Sequence, residues 1–150
     1  MKKFVFSLQA LFDYKQTVEK MQKAELKKAQ QALKELLNEE RRLLDAYAKN
    51  ERSLEKALRD NINVTAALNE HDAYFRFLRD ALKELRVRIA RAEKVVSECQ
   101  TRLMMTMKEI KTYNKLHDEQ YLEYMKEVQS EEEKEISDLV SFNTISGEVH

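Results

Sequence analysis

Apolar residues in the second half of the chain recur at positions that are alternately three and four residues apart. From Phe75 onward this spacing falls on Leu78, Leu82, Leu85, Ile89, Ala92, Val96, Cys99, Leu103, Thr106, Ile110, Tyr113, His117, Gln120 and Tyr124. An average repeat of 3.5 residues, maintained over about seven heptads, keeps one side of a helix against a partner helix. The pattern therefore predicts a helix over about residues 73–138, with this set as its buried seam.

The first half of the chain has the same repeat but a broader apolar stripe. One register contains Phe4, Leu8, Leu11, Val18, Ala29, Ala32, Leu36 and Leu43, and a second contains Leu26, Leu33, Leu37, Leu44, Tyr47, Leu54 and Leu58. We interpret the two registers as a drift, or a four-residue insertion, near residue 30 that locally unwinds the supercoil. A helix over about residues 4–60, with a stripe wide enough for more than one neighbour, is predicted.

Between the two periodic halves lies a segment rich in short polar residues, namely Asp60, Asn61, Asn63, Thr65 and Asn69. Such side chains compete for backbone hydrogen bonds and disfavour helix interiors. The segment predicts a turn over about residues 60–72, after which Asn69 or Asp72 caps the second helix.

The composition supports a fold with few turns, since the chain has no proline and a single glycine, Gly147, with 36% charged residues. Folding back buries each apolar seam, and a fully buried Leu or Ile contributes roughly 1.5 to 3 kcal/mol. The predicted fold is all-α, a long two-helix antiparallel coiled-coil hairpin. It forms a single coiled-coil domain over residues 1–150, with a frayed tail over residues 139–150.

Charge is balanced overall, with 27 basic and 27 acidic residues, but not locally. Residues 76–94 hold seven Arg or Lys and three acidic residues, whereas residues 123–138 are acidic and include Glu131–Glu133. These segments are either solvated helix faces or, more specifically, a basic strip that faces an acidic partner. Few aromatic residues are interleaved with the basic ones, so no nucleic-acid partner is expected.

The sequence offers no catalytic, cofactor or metal site. The only glycine is near the end, which excludes a glycine-rich phosphate loop, and the three histidines are far apart. Cys99 lies on the seam, where a small packed residue is a better explanation than a reactive thiol, and one cysteine fits a reducing compartment. The start MKKFVFSLQALF is similar to a signal peptide, but Gln9 interrupts the apolar run and no cleavage site follows. A cytoplasmic protein with no membrane insertion is expected.

Two stretches resemble the ends of a known family. MKKFVFSLQALFDYKQTVEK, residues 1–20, resembles the start of the FliJ family, the small coiled-coil component of bacterial flagellar type III export. KLHDEQYLEYMKEVQSEEEKEISDLV, residues 115–140, resembles its closing stretch, a Lys-Leu pair followed by a Tyr, an acidic run and a final Asp-hydrophobic pair. The likeness extends over nearly the whole chain.

The resemblance implies a non-enzymatic coiled coil similar to the central stalk of rotary ATPases. Family members lie in the pore of a hexameric export ATPase, promote its assembly and activity, and touch the cytoplasmic domain of the export gate at the inner face of the membrane. Some also bind empty export chaperones. The implied contacts with the ATPase ring are Phe4, Leu8, Leu11, Tyr121, Tyr124 and Val128.

The resemblance also implies a gate-facing patch, formed by Leu44, Tyr47, Tyr74, Leu78 and Ala81. Glu51 and Leu85 depart from the family pattern, and Leu78 and Leu85 are seam residues for which core packing is an equally good explanation. Two other functions stay open. One is an export chaperone or escort without ATPase coupling, and the other is a self-associating structural scaffold.

Overall fold

The computed structural model describes residues 2–60 and 63–148, which form two α-helices and, within those ranges, no β-strand. Helix α1 is Gln9–Arg59 and helix α2 is Val64–Glu148. The helices pack against each other as an antiparallel pair, because Glu40 pairs with Arg86 while the later Asn50 contacts the earlier His71. The predicted all-α hairpin is confirmed.

Two compact units make up the described chain. The terminal unit comprises the described residues of Met1–Lys20 and Met104–His150, and the turn unit comprises those of Met21–Leu103. Each unit contains a segment of α1 and a segment of α2. The assignment of residues 1–150 to a single domain stays a prediction.

The seam expected in the second half is confirmed. In the turn unit, Leu78, Leu82, Leu85, Ile89 and Cys99 are buried, and Phe75, Ala92, Val96 and Leu103 are half-buried. In the terminal unit, Thr106 is buried, and the half-buried positions are Ile110, Tyr113, His117, Gln120 and Tyr124. Cys99 is thus a packed core residue, as expected from its place on the seam.

The two registers proposed for the first helix are wrong. In the turn unit a single repeat of three and four residues passes through residue 30 without a shift, on Gln22, Leu26, Ala29, Leu33, Leu36, Glu40, Leu43, Tyr47, Asn50, Leu54 and Ala57. Four residues of the predicted registers are exposed instead, namely Ala32, Leu37, Leu44 and Leu58. In the terminal unit, Phe12 is half-buried where Leu11 was expected.

Polar residues on the seam explain this error. The Asn50 side-chain amide donates to the carbonyl oxygen of His71 at 3.2 Å, and Glu40 Oε2 lies 3.5 Å from Arg86 Nε. Buried polar groups are tolerated where they find such partners. Because the seam is polar at these positions, the apolar pattern of the sequence is carried there by exposed leucines next to the seam. These leucines produced the two incorrect registers.

The turn is shorter than predicted. α1 ends at Arg59 and α2 begins at Val64, with Asn61 outside the described residues. Asn63 caps α2, since its Oδ1 accepts from the backbone N–H of Ala66 at 3.4 Å.

The predicted caps Asn69 and Asp72 are wrong, because both lie inside α2. Both side chains are exposed, where they do not compete with the backbone of the helix. Asp72 also pairs with Arg76 one turn later, at 2.7 Å, an arrangement that stabilises a helix.

Both outer ends also differ from the prediction. The first helix begins at Gln9 rather than near residue 4, because residues 2–8 are non-helical and pack on α2 through their aromatic side chains. The second helix continues beyond residue 138 to Glu148, and residues 149–150 lie outside the described part. No proline interrupts this stretch and Gly147 comes only at its end, so nothing in the sequence stops the helix earlier. Side chains from Gln129 to Gly147 are exposed.

Candidate partner-binding surfaces

An aromatic cluster in the terminal unit holds the N-terminal segment, residues 2–8, on α2. The ring of Phe4 lies 5.4 Å from His117, 5.3 Å from Tyr121 and 5.5 Å from Tyr124 between ring centres. The first two contacts are edge-to-face, the geometry that favours aromatic attraction. Residues from the two ends of the sequence therefore form one surface.

Phe6 is the buried member of the same cluster. Its side chain is only 5% exposed, and its ring lies 5.2 Å from His117 and 6.4 Å from Phe12. Polar contacts fix the segment on either side. Tyr124 donates its hydroxyl hydrogen to the Lys2 carbonyl at 2.9 Å, and Ser7 and Gln120 are joined by hydrogen bonds of 3.2 and 3.3 Å.

An ion pair joins α1 and α2 in the terminal unit. Lys15 Nζ is 2.5 Å from Glu109 Oε2. The hydrogen bond to Glu109 raises the pKa of Lys15 above its ordinary value of 10.5, against a smaller opposing effect of burial. The pair fixes a charged contact between α1 and α2.

A polar contact group joins the two helices in the turn unit. Besides the bond from Asn50, His71 Nδ1 lies 2.7 Å from the Ala67 carbonyl and His71 Nε2 lies 3.3 Å from Ser53 Oγ. With the proton on Nδ1 donated to Ala67, Nε2 accepts from the serine hydroxyl. The bonds from Asn50 to His71 and between His71 and Ser53 join α1 to α2, so the group orients the helices.

An exposed aromatic pair lies one turn further along α2. The rings of Tyr74 and Phe77 are stacked, 6.3 Å apart and 14° from parallel, and are 43% and 65% exposed. Tyr47 and Phe75 pack against each other on the seam side, with ring centres 4.7 Å apart. The turn unit thus exposes two aromatic side chains.

Comparison with known proteins decides the family. A family model described as the flagellar FliJ protein matches residues 4–147. The chain belongs to the FliJ family. No curated protein and no solved structure matched the chain. The resemblance seen in the two terminal stretches is confirmed, and membership implies a part in flagellar protein export.

The six positions expected to meet an ATPase ring in this FliJ protein all lie in the terminal unit. Phe4, Tyr121 and Tyr124 are brought into mutual ring contact. Leu11 and Tyr121 are exposed, whereas the half-buried positions are Phe4, Leu8, Tyr124 and Val128. The most accessible part of this set is therefore Leu11 and Tyr121.

The five positions expected to meet the gate lie in the turn unit and differ in accessibility. Leu44 and Tyr74 are exposed, and Tyr47 and Ala81 are half-buried. Leu78 is 1% exposed, so its role in the structure is core packing. Leu85 is also buried, which confirms the core interpretation of both leucines.

Sequence reasoning missed Phe6, Phe12 and Phe77. A signal existed for Phe6, because Phe4, Phe6 and Leu8 alternate with other residues, a period typical of extended chain rather than helix. Phe77 is off the seam of α2, and an aromatic residue at such a position is a surface residue by default.

Among residues 2–60 and 63–148, no three His, Cys, Asp or Glu side chains are placed to hold a metal ion together. Neither described helix combines the length and apolar character needed to cross a bilayer.

Proposed function

We propose that this FliJ protein is a non-enzymatic stalk that binds the hexameric flagellar export ATPase, promotes its assembly and activity, and links it to the export gate. The contact of Phe4 with Tyr121 and Tyr124 carries the proposal. It joins the two terminal stretches that carry the family resemblance into one aromatic surface. Aromatic residues that are only partly buried are frequent anchors at protein interfaces.

The ATPase-binding surface in this proposal consists of Phe4, Leu8, Leu11, Tyr121, Tyr124 and Val128. Leu11 and Tyr121 supply accessible apolar contact, and the N-terminal segment is held in place by the buried Phe6. A rigid apolar surface loses little conformational entropy on binding. No acid, base or metal chemistry is needed for this role.

The gate-binding surface in this proposal is centred on Leu44, Tyr47, Tyr74 and Ala81, with Leu78 supporting it from the core. The stacked and exposed pair of Tyr74 and Phe77 supports an aromatic contact here. The protein then acts in the cytoplasm, at the inner face of the cell membrane, through the export apparatus.

The test is the turnover of the cognate export ATPase with substoichiometric amounts of this chain. The wild type is expected to raise turnover and ring formation, and Leu11→Glu with Tyr121→Glu to abolish both. Leu37→Glu, another exposed apolar position on α1 but in the turn unit, is the matched control and should retain the stimulation. Unchanged hydrolysis with the wild type contradicts the proposal.

A second candidate, an escort for export chaperones or substrates, is favoured by an exposed group of methionines, Met104, Met105 and Met107. Flexible thioether side chains adapt to varied apolar partners. This candidate predicts a stable complex with an export chaperone or an unfolded export substrate. Gln substitutions at the three positions should weaken that complex and leave ATPase stimulation unchanged.

A further inference from the structure

We propose that copies of this chain associate head to tail, with the acidic end of α2 from one copy bound to a basic face of α2 on the next. The C-terminal segment is defined as residues 129–147. The basic face is defined as Arg76, Arg79, Lys83, Arg88, Arg91 and Lys94. This inference is independent of the proposed stalk function, because it involves only copies of this chain.

The basic face has unused charge. Among the described residues, no ion pair is formed by Arg79, Lys83, Arg88, Arg91 or Lys94, and all five are exposed. The neighbouring Arg86 pairs with Glu40, and Arg76 pairs with Asp72. Exposed apolar side chains lie among these cations, namely Phe77, Val87 and Val95. The face thus offers both charge and apolar surface to a second helix.

The C-terminal segment has the complementary character. Its acidic side chains are all exposed, namely Glu131, Glu132, Glu133, Glu135 and Asp138. Its large apolar side chains are more than half exposed, namely Ile136, Leu139, Val140, Phe142 and Ile145. A helical segment that exposes five such side chains is an expected site of association.

Charge indicates which surface binds the basic face. Residues 76–94 hold seven basic and three acidic residues, a formal charge of +4, and residues 131–138 hold five acidic and one basic, a formal charge of −4. Pairing two basic faces, or two C-terminal segments, places like charges together and is disfavoured. Pairing one of each is favourable and also buries apolar side chains from both. The contact is heterologous, because two different surfaces bind each other. A dimer therefore keeps one unoccupied basic face and one unoccupied C-terminal segment, and further copies can add at both ends.

Sedimentation velocity of the full chain tests this at about 5 to 500 µM, a range suited to weak contacts, in about 50 mM and 500 mM salt. The average mass should rise from the 17.8 kDa monomer with concentration, without a plateau at the dimer, and the rise should shrink at high salt. A mass that stays at the monomer value throughout at low salt overturns the proposal.

Two charge-reversal variants locate the interface. Lys83→Glu with Arg91→Glu changes the basic face, and Glu132→Lys with Glu135→Lys changes the C-terminal segment. Each should weaken association about tenfold, because attraction is replaced by repulsion at two positions. Matched controls on exposed positions of α1 are Lys27→Glu with Lys28→Glu and Glu51→Lys with Glu55→Lys. The controls make the same charge changes and should associate as the wild type does.

Mixing the two interface variants gives the sharpest result. The first variant keeps its C-terminal segment and the second keeps its basic face, so an equimolar mixture should associate through this intact pair more strongly than either variant does alone. Circular dichroism of each variant checks that helix content is unchanged. Two alternatives overturn the proposal. One is association that survives both variants, and the other is a mixture of monomeric variants that stays monomeric.

Discussion

The side-chain amide of Asn50 on α1 donates a hydrogen bond to the backbone carbonyl of His71 on α2, and Asn50 is buried. A buried asparagine on a coiled-coil seam fixes the register of the helices at some cost in stability. The bond therefore sets which residues of α1 and α2 face each other in the turn unit.

Replacing Asn50 by leucine should raise the free energy of unfolding by about 1 kcal/mol while loosening the register. Chemical denaturation measures the first effect. Spin labels at Lys49 and Ala73, in a Cys99→Ala background, measure the second as a broader distance distribution. A destabilised variant with an unchanged distribution contradicts this role of Asn50.

Phe6 should be the residue that holds the N-terminal segment on α2. Phe6→Ala is expected to cost about 3 kcal/mol of local stability, since it removes a buried ring and leaves a cavity. Amide hydrogen exchange of residues 113–124 measures this cost. Val5→Ala is the matched control, because Val5 is 79% exposed and its loss should change stability by less than about 0.5 kcal/mol.

The Lys15–Glu109 pair should stabilise the protein only while Lys15 is charged. The folded-state pKa of Lys15 is raised above 10.5, so the stabilisation is fully present below that pH and is lost as pH rises through the folded-state pKa. Stability of the wild type and of Lys15→Gln, measured by urea denaturation between neutral and strongly alkaline pH, should converge at the alkaline end. Lys20→Gln, at an exposed position nearby, should give no such convergence.

Gln22 offers a stabilising substitution. It lies on the seam, and its side-chain oxygen is buried without a hydrogen-bond partner among the described residues. Gln22→Leu should raise the free energy of unfolding by about 1 kcal/mol, because it removes the cost of an unpaired polar atom and adds apolar burial. Thermal denaturation measures the gain. At the exposed Gln30 the same substitution should have little effect.

How much of this fold is predictable from sequence depends on which residues occupy the seam. From Phe75 to Tyr124 the seam is almost wholly apolar, so the repeat alone located it. In α1 the seam includes Gln22, Glu40 and Asn50. The partners of Glu40 and Asn50 lie on α2 and cannot be known from local sequence. The apparent shift of register near residue 30 arose there.

The ends of the helices were harder to predict, for different reasons. Residues 2–8 leave the helix because tertiary contacts of Phe4 and Phe6 override helix propensity. The stretch after residue 138 continues because no strong helix breaker occurs before its end. The family resemblance implied two sets of candidate residues, which lie in different units of the structure, but their accessibility depends on packing. Tyr74 is exposed and Leu78 is buried, although they are only four positions apart.

The contrast between the buried Leu78 and the exposed rings of Tyr74 and Phe77 has a practical consequence for genetics. If the two exposed rings contact the gate as proposed, a screen for non-motile mutants should recover changes at all three positions, but for different reasons. Substitutions at Leu78 lower the amount of folded protein, so overproduction or growth at lower temperature should rescue them in part. Substitutions at the two surface rings leave protein levels intact, and no increase in dose should restore swimming if those rings contact the gate.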